Sequence, residues 1–421
     1  MTRSEDKVRG TTPGSLEISK FPWGNTSRAE GPSYEQRFSF YTGAVDRFLQ
    51  ELPEGFLSAG LAQERMKSFL PIRHSLLLPL DRNASLRSLK SRKMEPRPLT
   101  GLSADSARRA DFEASYITPI TEVLRASGIS RHVLALVGDN ARASPIPVLT
   151  KTRPIENAGL NVLVPLERER HFGPLSCVLE QDIPWSRKSS RLIWRGAFTG
   201  PDPGAKHRRG NTRTAIFDVA QRNVNNSEID VGITLVPTAR RHDPSVALTG
   251  ESIKSELTIP EQLSSKFLLS LEGNDVASGL KWKMFSQSCV FMPAPSVDSW
   301  FCESFLEPFV HYVPVSPDLS DLEEMLEWCR GNDAASQAIA HNGAAFARSF
   351  MSEAIETELF YSVVRWYAAH PRLQDFLDNS PQLVHKSAKA MAHRARRKRL
   401  RQILRVRAML RKIRRLVNPP G

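Results

Sequence analysis

Arg195 and Gly196 close the apolar run RLIWRGAFTG (191–200). An arginine at a strand end presents a planar fork of donors that suits phosphate oxygens. A glycine beside it lets a ligand approach the backbone. Arg208, Arg209 and Arg213 follow in GAKHRRGNTRTAIF, around the start of a helix-like segment. A second set lies in LLSLEGNDVASGLKWKMF (268–285), where an apolar run stops at Glu272-Gly273-Asn274-Asp275 and Ser278, Lys281 and Lys283 come next. Anions bind beyond the carboxyl ends of strands, near helix N-termini, in open α/β sheets. Lys281 would add the charge that neutralises a pyrophosphate there. Asp139 ends the apolar run LALVGDN, which places a carboxylate for general-base work. In WFCESFLEPFVHYVPVSPDLSDLEEMLEW (300–328), Glu303 and Glu307 stand four apart and would share one helix face. His311 follows them.

Each pattern also fits a plainer role. A strand-end arginine pairs with a carboxylate, an aspartate after a strand caps a turn, and a lone histidine at a strand start is structural. The glycines match neither G-x-G-x-x-G nor a Walker A loop, and there is no H-E-x-x-H or G-x-S-x-G. A D-x-D triplet flanked by apolar strand is also missing. Cys177, Cys289, Cys302 and Cys329 are scattered with no C-x-x-C pair, which speaks against a zinc site or a disulfide framework.

The 421 residues are 40% hydrophobic and 24% charged, the composition of a globular protein with an ample core. Net charge is +13, but 14 of the lysines and arginines and no acidic residue fall between Lys386 and Gly421. The body is therefore close to neutral, and nucleic-acid binding by the whole chain loses its main support. No window approaches 18 consecutive apolar residues, and the polar start MTRSEDKVRGTTPG lacks the apolar centre of a secretory signal.

Several elements must position these side chains. The runs HVLALVGDN, IPVLTKTRP, NVLVPL, RLIWRGAFTG, EIDVGITLV, KFLLSLEGND, SCVFMPAP and VHYVPV each have the length of a buried strand. Helix-like segments stand at 34–52, 110–127, 211–223, 277–287, 297–306 and 320–330, with long helices over 333–378. Strands alternating with helices predict a mostly parallel, helix-covered sheet, and two such sheets are expected, with a break near 173–190. Ser320 and Glu323 predict a capping box.

Taken in order, IPWSRKSSRLIWRGAFTG, LEGNDVASGLKWKMFSQSCVFMP, the 300–328 segment and AIAHNGAAFARSF resemble glycosyltransferase family 90 over residues 130–350. The resemblance implies a GT-B type α/β fold, in which two Rossmann-like domains face each other across a cleft. The expected layout is an N-terminal lead (1–35) without stable order, an acceptor-side domain (36–180) and a nucleotide-sugar domain (181–350). C-terminal helices (351–385) and a basic tail (386–421) follow. The implied activity is inverting transfer of a hexose or pentose from a UDP-sugar to a hydroxyl, with no bound metal or other cofactor. By the same resemblance Asp139 is the catalytic base, and Arg195, Gly196, Arg213, Gly273, Asn274, Ser278 and Lys281 surround the nucleotide. The lack of a secretory signal points to the bacterial branch, a cytoplasmic enzyme acting on lipopolysaccharide or capsule.

The tail carries its own pattern. Ile403, Val406, Leu410, Ile413 and Val417 step by three or four, one apolar stripe on a helix otherwise rich in Arg and Lys. Such a helix suits an anionic membrane face, so residues 391–417 would hold the enzyme peripherally beside a glycan or glycolipid acceptor. The competing class is a non-catalytic protein that uses this tail on nucleic acid, membrane or a partner.

Overall fold

The computed structural model describes residues 30–51, 76–83, 113–139, 141–168, 172–200, 212–236 and 252–378. Arg208, Arg209 and the basic tail lie outside them. The strands are β1 (Leu76–Leu80), β2 (Val133–Val137), β3 (Ser144–Thr150), β4 (Thr152–Pro154), β5 (Gly159–Leu163), β6 (Ser189–Ala197), β7 (Ile229–Leu235), β8 (Ser265–Leu269), β9 (Cys289–Met292), β10 (Val297–Ser299) and β11 (Val313–Pro314). The helices are α1 (Tyr34–Glu51), α2 (Thr118–Ala126), α3 (Pro174–Gln181), α4 (Thr212–Arg222), α5 (Ile259–Leu263), α6 (Leu280–Phe285), α7 (Leu322–Gly331), α8 (Asp333–Arg348), α9 (Glu353–Ala369) and α10 (Pro371–Asp378).

The strands form two main sheets. The first has four strands in the order β1-β2-β3-β5; β2, β3 and β5 are parallel, and β1 adds antiparallel at the edge. All five residues of β2, Val-Leu-Ala-Leu-Val, are buried, as a strand covered on both faces requires. The second sheet is wholly parallel in the order β11-β9-β8-β6-β7. Its strands, counted from β6, run 2-1-3-4-5, the flavodoxin-like doubly wound order. Strand alternation sends Ile193, Leu268, Val290 and Met292 into a core shared with the first sheet. Leu192, Trp194, Phe267, Leu269, Cys289 and Phe291 face a second core under α4, α7 and α8. The two sheets are also stitched by β4 and β10, an antiparallel pair with Asp298 opposite Arg153.

Three expected helical features take another form. Residues 297–306 are not a helix: Val297–Ser299 pair with β4, and only Glu303–Phe305 make a single 3-10 turn. Pairing with β4 outweighs local helical preference, and Glu303 fixes the corner by accepting from the Ser299 N–H at 2.6 Å. Glu303 and Glu307 therefore share no helix face. The segment expected as a helix over 277–287 is helical only at Leu280–Phe285, because 274–279 form turns. The Ser320–Glu323 capping box is not made: Ser320 Oγ donates to Asp318 at 2.7 Å, and Glu323 is engaged by Arg222 and Asn223. A capping box does close the start of α5, between Thr258 and Glu261.

Candidate active site

In a doubly wound sheet the crevice opens where the strand order reverses, beyond the carboxyl ends of the first and third strands. Here those strands are β6 and β8. Gly200 lies just past β6 at φ +131°, a region nearly closed to residues with a Cβ. Its N–H donates to Asn274 Oδ1 at 3.2 Å, so one hydrogen bond spans the reversal point. Gly273 N–H donates to Asp275 O at 3.0 Å, folding the turn back on itself. Glu272 accepts from the Ser296 N–H at 2.9 Å and the Val297 N–H at 3.2 Å, which anchors the turn beside β10.

The first sheet brings its own carboxyl ends to the same turn. Asp139 follows β2, Lys151 follows β3, and Glu167 follows β5 at φ +56°. Lys151 is 1% exposed. Its ammonium donates to Asp139 Oδ1 at 2.6 Å and to Glu167, and lies 2.8 Å from Asp275 Oδ2. Asp275 is buried, whereas the Asp139 side chain keeps 27% of its surface open and Glu167 15%. Asp139 is thus the carboxylate of the three most open to an incoming molecule. Burial alone would depress the Lys151 ammonium, but Asp275, Tyr116, Asp139 and Glu167 outweigh it and hold its pKa above the usual lysine value. Tyr116, from the π turn Glu113–Ile117 ahead of α2, packs into the same cluster; burial pushes its phenol well above the ordinary range, and its partners include Glu167.

The residues expected around the nucleotide divide into two groups. Gly273 and Asn274 sit at the reversal point, and half-buried Ser278 stands in the turns that follow. Arg213 lies in the first turn of α4, the helix that leaves β6, and its side chain lies outside the described set. Gly196 is required by packing, since a Cβ there would stand 2.7 Å from the Trp194 ring. Arg195 is used up structurally. Its Nε donates to Ser255 O, Nη1 to the carbonyls of Trp194 and Asp230, and Nη2 to both Asp230 carboxylate oxygens, which accounts for all of its N–H donors. Lys281 is also committed: it pairs with Glu303 at 2.7 Å, both side chains 2% exposed, beside the rings of Trp300 and Phe301. A buried pair of this kind leaves no ammonium for a diphosphate. On the opposite side of α6, Lys283 Nζ donates at 2.7 Å to Leu269 O, the carboxyl end of β8. His311 is structural, its Nδ1 accepting from the Glu307 N–H at 2.9 Å. The short α6 starts well after Asn274, so its N-terminus does not face the turn directly.

Lys151, Glu167, Asp275 and Tyr116 were not singled out by spacing. One signal was present: Asp139 and Asp275 each follow an apolar run, and two such carboxylates at facing strand ends need a cation between them.

The glycosyl transferase family 90 model matches residues 178–412. This chain belongs to that family. Among the relatives, O-glucosyltransferase LpsA of Dichelobacter nodosus is 31% identical over 252 residues, 60% of this chain and 70% of LpsA. Protein O-glucosyltransferase 2 of Danio rerio is 26% identical over 266 residues, 61% of this chain and 47% of its own length. Human protein O-glucosyltransferase 1 is 26% identical over 172 residues, and the match spans 39% of it. The chain is thus a glycosyltransferase with an α/β fold, and it spans less than half of the length of these two animal proteins. Among the described residues, no helix is long and apolar enough to cross a membrane.

Proposed function

We propose that this family 90 chain transfers a hexose or pentose from a UDP-sugar to a hydroxyl of a cell-surface glycan, with inversion and without a bound metal. The observation that carries this reading is the meeting of Asp139, from the first sheet, with the Gly273–Asp275 turn at the reversal point of the second. The two sheets then act as the acceptor and donor halves of a GT-B type enzyme, with the sugar between their carboxyl ends. Asp139 takes the proton of the acceptor hydroxyl. That oxygen attacks the anomeric carbon from the face opposite UDP, the bond to the diphosphate breaks, and UDP leaves with the electron pair. Without a metal, cationic side chains and backbone N–H groups must meet the leaving charge. Arg213 at the head of α4, its neighbours Arg208 and Arg209, and the Gly273–Asn274 backbone are the groups assigned to it. Lys281, held by Glu303, and Lys283, held by the Leu269 carbonyl, are both buried and are not assigned to it.

The names of the relatives make glucose the first donor to test. A bacterial lipopolysaccharide or capsule precursor is the acceptor that suits a cytoplasmic enzyme held to the membrane face by residues 391–417. The experiment is a panel of UDP-glucose, UDP-xylose and UDP-galactose, scored by thermal stabilisation and donor hydrolysis with and without EDTA. Stabilisation and turnover by one donor in EDTA are expected. Failure of every donor to bind, or activity lost to chelator and restored by manganese, overturns the proposal.

A further inference from the structure

Lys151 is a lysine with almost no solvent contact, set among three carboxylates. Among the described residues, the groups facing it are Asp139 after β2, Glu167 after β5, Tyr116 from the turn ahead of α2, and Asp275 from beyond β8 of the other sheet. Among the described residues, three carboxylates and one ammonium meet here. Removing a cation from such a group and removing an anion from it must act in opposite directions on whichever carboxylate is open to solvent.

On that geometry, and resting on the reading of Asp139 as base, we propose that Lys151 is a positioning residue for the transfer: its ammonium keeps the Asp139 carboxylate ionised and aimed between the sheets. Glu167 and Asp275 are the counterweight. Their negative charge makes proton uptake by Asp139 more favourable when the acceptor hydroxyl gives up its proton. Once Asp139 is neutral, Lys151 still holds Glu167 and Asp275, so the strand ends stay in register through the step. Because Asp275 adjoins Asn274, the same ammonium sets the distance between base and donor turn.

The test reads Asp139 directly and needs no assumption about the sugar. The ¹³C resonance of the Asp139 carboxyl, assigned by its loss in Asp139→Asn, is titrated in the full chain and in Lys151→Met, Lys151→Arg and Glu167→Gln. The proposal expects the Asp139 midpoint to rise by about one pH unit or more in Lys151→Met and to fall in Glu167→Gln. Lys151→Arg should return it toward the parent value. If Lys151→Met does not fold, the fall in Glu167→Gln and the near-parent value in Lys151→Arg still decide. Midpoints that stay put, or that move the same way in Lys151→Met and Glu167→Gln, overturn the proposal. Retention of full UDP-glucose turnover by Asp139→Asn would instead remove the base and leave the titration result standing, so the two failures are separable.

Discussion

Asp139 carries the chemistry at the scale of single residues, and its replacement is the first prediction. Asp139→Asn keeps the shape and can still meet Lys151, but it cannot accept a proton. Turnover should fall about 10²- to 10⁴-fold, with little change in the affinity for UDP measured by calorimetry. A second residue-scale prediction concerns Asp298, opposite Arg153 in the strand pair that joins the sheets. Burial, with Glu303 nearby, raises its carboxyl from the usual 3.8 to about 6, against the opposing help of the Ser304 N–H and Arg153. A carboxyl raised on folding favours the folded state while protonated, and that advantage is lost as pH climbs through the folded value. Between about pH 4 and 6 the parent protein should therefore lose roughly 3 kcal/mol that Asp298→Asn does not lose. Melting curves of both proteins at pH 4.5 and 7 measure this, and the parent should lose stability relative to Asp298→Asn between the two. Residue types at strand ends were legible in sequence; pairing was not. Arg195 and Lys281 have the chemistry for a phosphate, yet Asp230 and Glu303, 35 and 22 positions away, take them up. No local pattern announces such partners.

Among the elements, the continuous apolar runs were the most readable feature, and each of the eight became a strand. Where the runs are buried on both faces, as in β2, there is no periodicity to mistake, and the turn residues after them mark the ends. What escaped notice depends on a partner. Strand β1 contains Pro79, tolerated because it lies at a sheet edge. Strand β10 exists only through its register with β4. The Ser320–Glu323 pattern was present without its bonds, because Arg222 and Asn223 compete for Glu323, while the working box at Thr258–Glu261 went unread. That box supports the helix feeding β8, the strand that ends at the proposed donor turn. Thr258→Ala leaves the first-turn N–H of Glu261 without its acceptor and should cost about 1 kcal/mol in urea unfolding, with donor hydrolysis preserved.

At the scale of the whole molecule, the chain closes on itself. Helix α9, which follows the second sheet, returns to the first, where Tyr367 donates to Pro147 O of β3 at 2.8 Å. The two sheets are thereby braced from behind while their strand ends meet at Lys151. The strand ends at Lys151 and the donor turn are held by residues up to 369, so deletion of 386–421 should leave UDP-sugar hydrolysis intact. The same deletion should abolish flotation with vesicles rich in anionic lipid, as expected of a basic amphipathic segment. A buried ion pair also ties α9 to α1. Arg37 of α1 donates to Glu356 of α9, with 2% and 1% of their side chains exposed, and the Arg37 guanidinium stands 4.8 Å from the centre of the Phe350 ring. Burial raises the Glu356 carboxyl and Arg37 holds it back, so the pair gives little net stability but is costly to break. Glu356→Ala strands a buried guanidinium and should cost about 3–5 kcal/mol. Arg37→Met with Glu356→Leu removes both charges and should recover most of that loss. Thermal unfolding of the single and double variants measures the coupling. If the brace holds the sheets in register, the single variant should also weaken UDP-glucose turnover below its melting temperature, and the double variant should restore it.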